Sequence, residues 1–153
     1  MPYLAMIDRL RAFLKHPSSV LVICGYSFRD DHINEIIVQG LQSTQTATAF
    51  ALLHSEIGKY AKAVKLASQR SNLSLLAKDG AVVGGHEAKW HHKEPEAVMS
   101  DDGGWVTWTR VNAGDDKSRY AAQLHLGDFD VFGKFVNELV GRIRRFSEAS
   151  NGE

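Results

Sequence analysis

The run Val20-Leu21-Val22-Ile23-Cys24-Gly25-Tyr26-Ser27-Phe28-Arg29-Asp30-Asp31-His32-Ile33-Asn34-Glu35-Ile36-Ile37 decides how the rest of this 153-residue chain is read. It opens with five apolar residues that do not alternate, the pattern of a strand covered on both faces. Gly25 then permits a sharp turn. Residues 26–29 form a short exposed loop, and Asp30 or Asp31 caps a helix whose Ile33, Ile36, Ile37 and Leu41 share one stripe. In an open α/β sheet, ligands gather at the carboxyl ends of the strands, so the turn at 25–29 is the expected site.

Helical spacing of Leu4, Ile7, Leu10 and Leu14 predicts a helix over 3–15, ended before Pro17. Beyond the opening unit, 47–53 reads as a strand, 57–69 as a helix and 72–76 as a short strand. This helix and strand alternation predicts a parallel sheet with right-handed crossovers. From residue 78 glycines break the pattern. Residues 86–102 read as a mobile polar loop, and 105–111 with 120–126 as a hairpin closed by a polar turn at 112–117. Trp105 and Trp108, three apart, are expected on opposite faces, one packed and one exposed. Asp128 is set to cap a final helix over 129–146 carrying Phe132, Phe135, Val136, Leu139, Val140 and Ile143, with Arg142, Arg144 and Arg145 near its carboxyl end. Residues 148–153 read as a disordered tail.

Composition narrows the classes. Eighteen Lys and Arg balance eighteen Asp and Glu, which leaves no electrostatic case for nucleic acid or an anionic membrane surface. The lone cysteine, Cys24, excludes an internal disulfide and suits a cytoplasmic home. Charges interrupt the amino-terminal apolar residues, as no signal peptide allows, and no run reaches the length of a membrane span. His86, His91 and His92 with Glu87 and Glu94 match no ligand spacing, so no metal is expected. His32, one turn into its helix, is expected to be structural. Two carboxylates at that helix start, Asp30 and Asp31, favour ribose hydroxyls over a phosphate there.

Gly25-Tyr26-Ser27-Phe28 followed by Asp31-His32-Ile33-Asn34 resembles the motif of bacterial SIR2-like proteins, the sirtuin-related NAD-consuming family that includes antiphage defence effectors. Gly127-Asp128 with Phe129 resembles the family's Gly-Asp before the last helix. The resemblance implies an α/β fold of the Rossmann-like, three-layer parallel type, a partial SIR2-like or DHS-type fold with a carboxyl-terminal β-hairpin and helix, over residues 1–147. It implies NAD as substrate, held by Gly25, Tyr26, Ser27, Asp31, Asp128 and Phe129 in a pocket shared between the glycine turn and Asp128. It also implies loss of nicotinamide and release of ADP-ribose.

The family's amino-terminal glycine-rich loop, and the Asn and His taken to carry cleavage, have no counterpart upstream of Tyr3. The chain is therefore expected to be the carboxyl-terminal half of the domain, with no catalytic residue of its own. The strand after the glycine turn ends Leu53-His54-Ser55-Glu56, without the family's asparagine, leaving Glu56 as its substitute on the adenosine ribose. An incomplete sheet predicts an open edge near residues 20–24, hence homo-oligomers or a completing chain. Alternatives are a non-catalytic nucleotide-binding or interaction module, a functionless remnant, or a protein deacetylase.

Overall fold

The structure, a computed structural model, describes residues 2–92, 104–111 and 119–150. The chain runs α1 (Pro2–Leu14), β1 (Val20–Cys24), α2 (Asp31–Ser43), β2 (Thr48–Leu52), a 3-10 turn (Ile57–Tyr60), α3 (Ala61–Ser68) and β3 (Leu73–Leu76). It continues through β4 (Gly80–Val83), β5 (His86–Lys89), β6 (His91–His92), β7 (Val106–Val111), β8 (Arg119–Leu124) and α4 (Phe129–Ser150). The α/β class is as expected. Strands β1 to β5 form one sheet in chain order, and β6, β8 and β7 form a second, three-stranded sheet in that order.

Successive side chains of a strand point to opposite faces, so the register sorts them. Rows Leu21, Ala49, Leu73 and Ile23, Ala51, Leu75, Val82 lie on one face. That face builds the core, where these residues meet Leu14 of α1, Ile37 and Leu41 of α2, and Ala63 and Ala67 of α3. All three helices therefore cover the same side. Alanines in β2 and α3 let backbone approach backbone where larger side chains would hold the layers apart.

Five expectations are corrected here. The sheet is mixed: β1, β2 and β3 are parallel, but β4 and β5 add antiparallel, because the three residues between β3 and β4 are far too few for a parallel crossover. Residues 86–89 and 91–92 are strands, not loop, and Gly84 and Gly85 close the β4 to β5 hairpin at φ 59° and 84°, as a two-residue turn of type I′ requires. Residues 93–103, and the turn expected at 112–117, lie outside the described residues. α4 continues to Ser150, so 148–150 are helical, while 151–153 lie outside the described residues.

The fourth correction concerns layers. β1 was expected to be covered on both faces, in a three-layer fold. It lies at the sheet's edge, and Val20 and Val22, on the face away from the helices, are 57% and 47% exposed. Along Val20 and Val22 this apolar strand is thus bare on its second face among the described residues, and only Cys24, at its end, is partly covered there. Trp105 and Trp108 also differ from expectation in that both are half-buried. Trp105 meets Phe135 of α4 edge to face, ring centroids 5.4 Å apart, and Trp108 lines an apolar cavity of about 200 Å³ beside Trp90 and Leu124.

Candidate functional site at the carboxyl ends of β1 and β2

The glycine turn is built by alternation. Gly25 sits at φ 73°, and a Cβ added there would meet nothing within 4 Å, so the conformation, not crowding, selects glycine. Tyr26 turns inward against the core. Its hydroxyl lies 2.8 Å from Asn34 Oδ1 and 2.9 Å from the Asp30 carbonyl, one donor facing two acceptors. Ser27 is exposed, Phe28 is 1% exposed, and Asn34 Nδ2 donates to the Phe28 carbonyl at 2.9 Å. Buried Asn34 thus fastens both inward residues to α2.

Burial first, then the Asp30 and Asp31 carboxylates, push the Tyr26 phenol up to about 12 from 10.0. A raised phenol pKa means that the folded state holds its proton longer than the unfolded chain does. Stability is then whole below pH 10 and falls as pH climbs through about 12. Thermal melts across that alkaline window should show the decline, and Tyr26→Phe should flatten it.

Asp30, not Asp31, is the cap of α2, accepting from the amides of His32 at 3.0 Å and Ile33 at 3.2 Å. Asp31 is free to pair with Lys62 of α3 at 2.7 Å, and this hydrogen bond holds its carboxyl below the usual range. The pair borders a cleft of about 310 Å³ between α2 and α3, with Asn34, Glu35 and Lys65 on its wall. His32 is exposed.

Asp128 stands elsewhere. Gly127 packs so closely on the chain leaving β2 that a Cβ there would lie 2.3 Å from the Leu53 carbonyl. The contact brings Asp128 to the sheet's carboxyl end, where its Oδ1 caps α4, accepting from Asp130 at 2.9 Å and Val131 at 3.3 Å. Cys24 Sγ sits 4.0 Å from the Gly127 carbonyl, so the end of β1 and the start of α4 share one corner. Burial pushes the Cys24 thiol up, away from a reactive thiolate. Phe129 is 73% exposed.

A cavity of about 280 Å³ opens beside Asp128, lined also by His54, Lys78, Thr107 and His125. Of the six residues expected to hold the dinucleotide, Asp128 lines this cavity, Gly25, Ser27 and Phe129 are exposed outside its wall, Tyr26 points into the core and Asp31 faces the other cleft, so this cavity is not the expected pocket shared between the glycine turn and Asp128. Glu56, the expected ribose contact, is turned to Lys59 at 2.9 Å. Sequence reading missed His54, Lys78 and His125 because three separate connections deliver them; His54 and Lys78 were marked by their position just after predicted strands, whereas His125 fell within the strand predicted over 120–126. Among the described residues no group of three or more His, Cys, Asp or Glu is set to hold a metal, and no helix is long and apolar enough to cross a membrane. Glu94 of the histidine-rich segment lies outside the described residues. No protein-family model matches the chain, and no curated protein shows significant similarity to it.

Proposed function

We propose that the chain is the dinucleotide-holding part of a SIR2-like, Rossmann-like NAD-binding domain whose complete form cleaves NAD to nicotinamide and ADP-ribose, as a bacterial antiphage defence effector in the cytoplasm. The observation that carries this reading is the meeting of the glycine turn and Gly127-Asp128 at one corner, through Cys24 and Gly127. Open space in front of Gly25 and the exposed Ser27 suit a backbone-hugging ligand. Gly25, Ser27, Asp128 and Phe129 contact the dinucleotide. Tyr26 and Asp31 act on the turn, one through Asn34 and the other through Lys62. The cleavage step is assigned to no residue of this chain.

Calorimetric titration with NAD, alongside a nicotinamide-release assay, tests the reading. NAD is expected to bind, with Asp128→Asn weakening it about tenfold while sparing the fold, since asparagine caps a helix as well as aspartate does. Absence of NAD binding would overturn the proposal, and release that strictly requires an acetylated peptide would replace it with the deacetylase.

A second reading, a module that docks to another chain, is favoured by the open edge of β1 and the exposed Val20 and Val22. Light scattering should find self-association that grows with concentration and that Val22→Lys diminishes, at a stability cost within about 0.5 kcal/mol for an exposed position. A monomer at every concentration sinks that reading.

A further inference from the structure

The cavity beside Asp128 carries an assignment of its own. In dinucleotide folds the strand neighbouring the glycine-turn strand ends at the adenosine ribose. A carboxylate there takes the free 2′-hydroxyl, and a basic group takes a 2′-phosphate. Here the neighbour is β2, paired with β1 from Val20↔Thr48 to Cys24↔Leu52. The chain leaves it through His54, which lines the cavity, while Glu56 is held away by Lys59.

Lys78 enters the same cavity from the end of β3. It is half-buried, and although its charge reaches the Glu56 carboxylate, which Lys59 already pairs, no carboxylate among the described residues lies within ion-pair distance of its ammonium. A lysine partly withdrawn from water and held in no direct ion pair keeps its donors available to an anion. His125 adds a third basic side chain, its Nε2 2.8 Å from Thr107 Oγ1. Asp128 is the one acid on the wall. Its Oδ1 is satisfied by the α4 amides, and its Oδ2 faces His54 Nε2 at 4.0 Å.

A cation and a hydroxyl-accepting carboxylate in one small cavity match a phosphorylated vicinal diol: phosphate on the lysine, remaining hydroxyl on the acid. The volume of about 280 Å³ falls just below the range that encloses a whole drug-sized ligand, so the cavity suits one sugar phosphate, not a dinucleotide. We propose that this cavity selects a 2′-phosphorylated dinucleotide, NADP over NAD, with the phosphate against Lys78 and His54 and the 3′-hydroxyl against Asp128. The selection rests on the dinucleotide reading given above.

Calorimetric titrations of NADP, NAD, adenosine 2′-monophosphate and adenosine 5′-monophosphate into the wild type and Lys78→Met test it. Only backbone atoms of Lys78 take part in the fold's hydrogen bonds, to Ser55 and Leu124, so the variant keeps them. The expected result is NADP binding about tenfold tighter than NAD, a preference for the 2′ over the 5′ monophosphate, and loss of both preferences in Lys78→Met with NAD affinity unchanged. NAD binding as tightly as NADP, or a preference that survives Lys78→Met, overturns the selection and leaves the dinucleotide reading standing. Lysine-dependent binding of the 2′ monophosphate without either dinucleotide retains the phosphate site and overturns the dinucleotide reading. No binding of any of the four overturns both.

Discussion

Gly127→Ala should destabilise the protein by about 3 kcal/mol, near the upper end of what overpacking a well-filled site costs. The Cβ would sit 2.3 Å from the Leu53 carbonyl carbon and oxygen and 2.5 Å from the His54 amide nitrogen. These are backbone atoms, so no rotamer change can clear the clash. The β2 exit or the start of α4 must move. Either movement separates Asp128 from His54, now 4.0 Å away, so ligand binding should fail along with stability. Gly133→Ala is the control, because within α4 nothing lies within 4 Å of the added methyl. Relief of glycine's helical penalty should there stabilise by up to about 1 kcal/mol. Urea midpoints for both variants read the contrast, and equal midpoints would deny that the Leu53 contact holds α4 in place.

That contact shows where sequence reading stops. The stripe of α2 was legible because Ile36, Ile37 and Leu41 are all buried on one side, and helical periodicity reports burial directly. β5 was not legible: His86, Glu87, Ala88 and Lys89 are all exposed, and an edge strand with neither face buried has no alternation to detect. Its only marks were the paired glycines 84 and 85 and the connection of three residues before β4. The sidedness of β1 was hidden for the opposite reason. Five apolar residues look the same whether the second face is covered or bare, and the difference lies in what packs there. At the site, the turn at Gly25 and the cap at Asp128 were legible as local backbone demands, while the place of Asp128 in a ligand site was implied by the family resemblance alone. His54, Lys78 and His125 make no such demand, and they converge because the first sheet brings the ends of β2 and β3, and the second the exit from β8, to one cavity.

Phe28→Ala is expected to cost about 4 kcal/mol, the usual loss for a fully buried phenylalanine truncated to a methyl group. The ring is 1% exposed and tilts against Tyr26 with centroids 4.9 Å apart. The backbone there stands at φ 59°, a conformation that costs an ordinary residue roughly 1–2 kcal/mol. The buried ring and the Asn34 bond to its carbonyl oppose that strain. Remove the ring and the turn has reason to relax, carrying Gly25 and Ser27 with it. Ser27→Ala provides the comparison: its side chain is exposed and makes no hydrogen bond among the described residues, so stability should change by less than about 0.5 kcal/mol. Chemical denaturation and NAD titration of the two variants together separate structure from ligand contact within one tetrapeptide. Residues 26 and 28 anchor the turn, which frees 25 and 27 to face outward. Unchanged stability in Phe28→Ala would mean that the ring does not hold the turn, and unchanged NAD affinity in Ser27→Ala would remove the hydroxyl from the site.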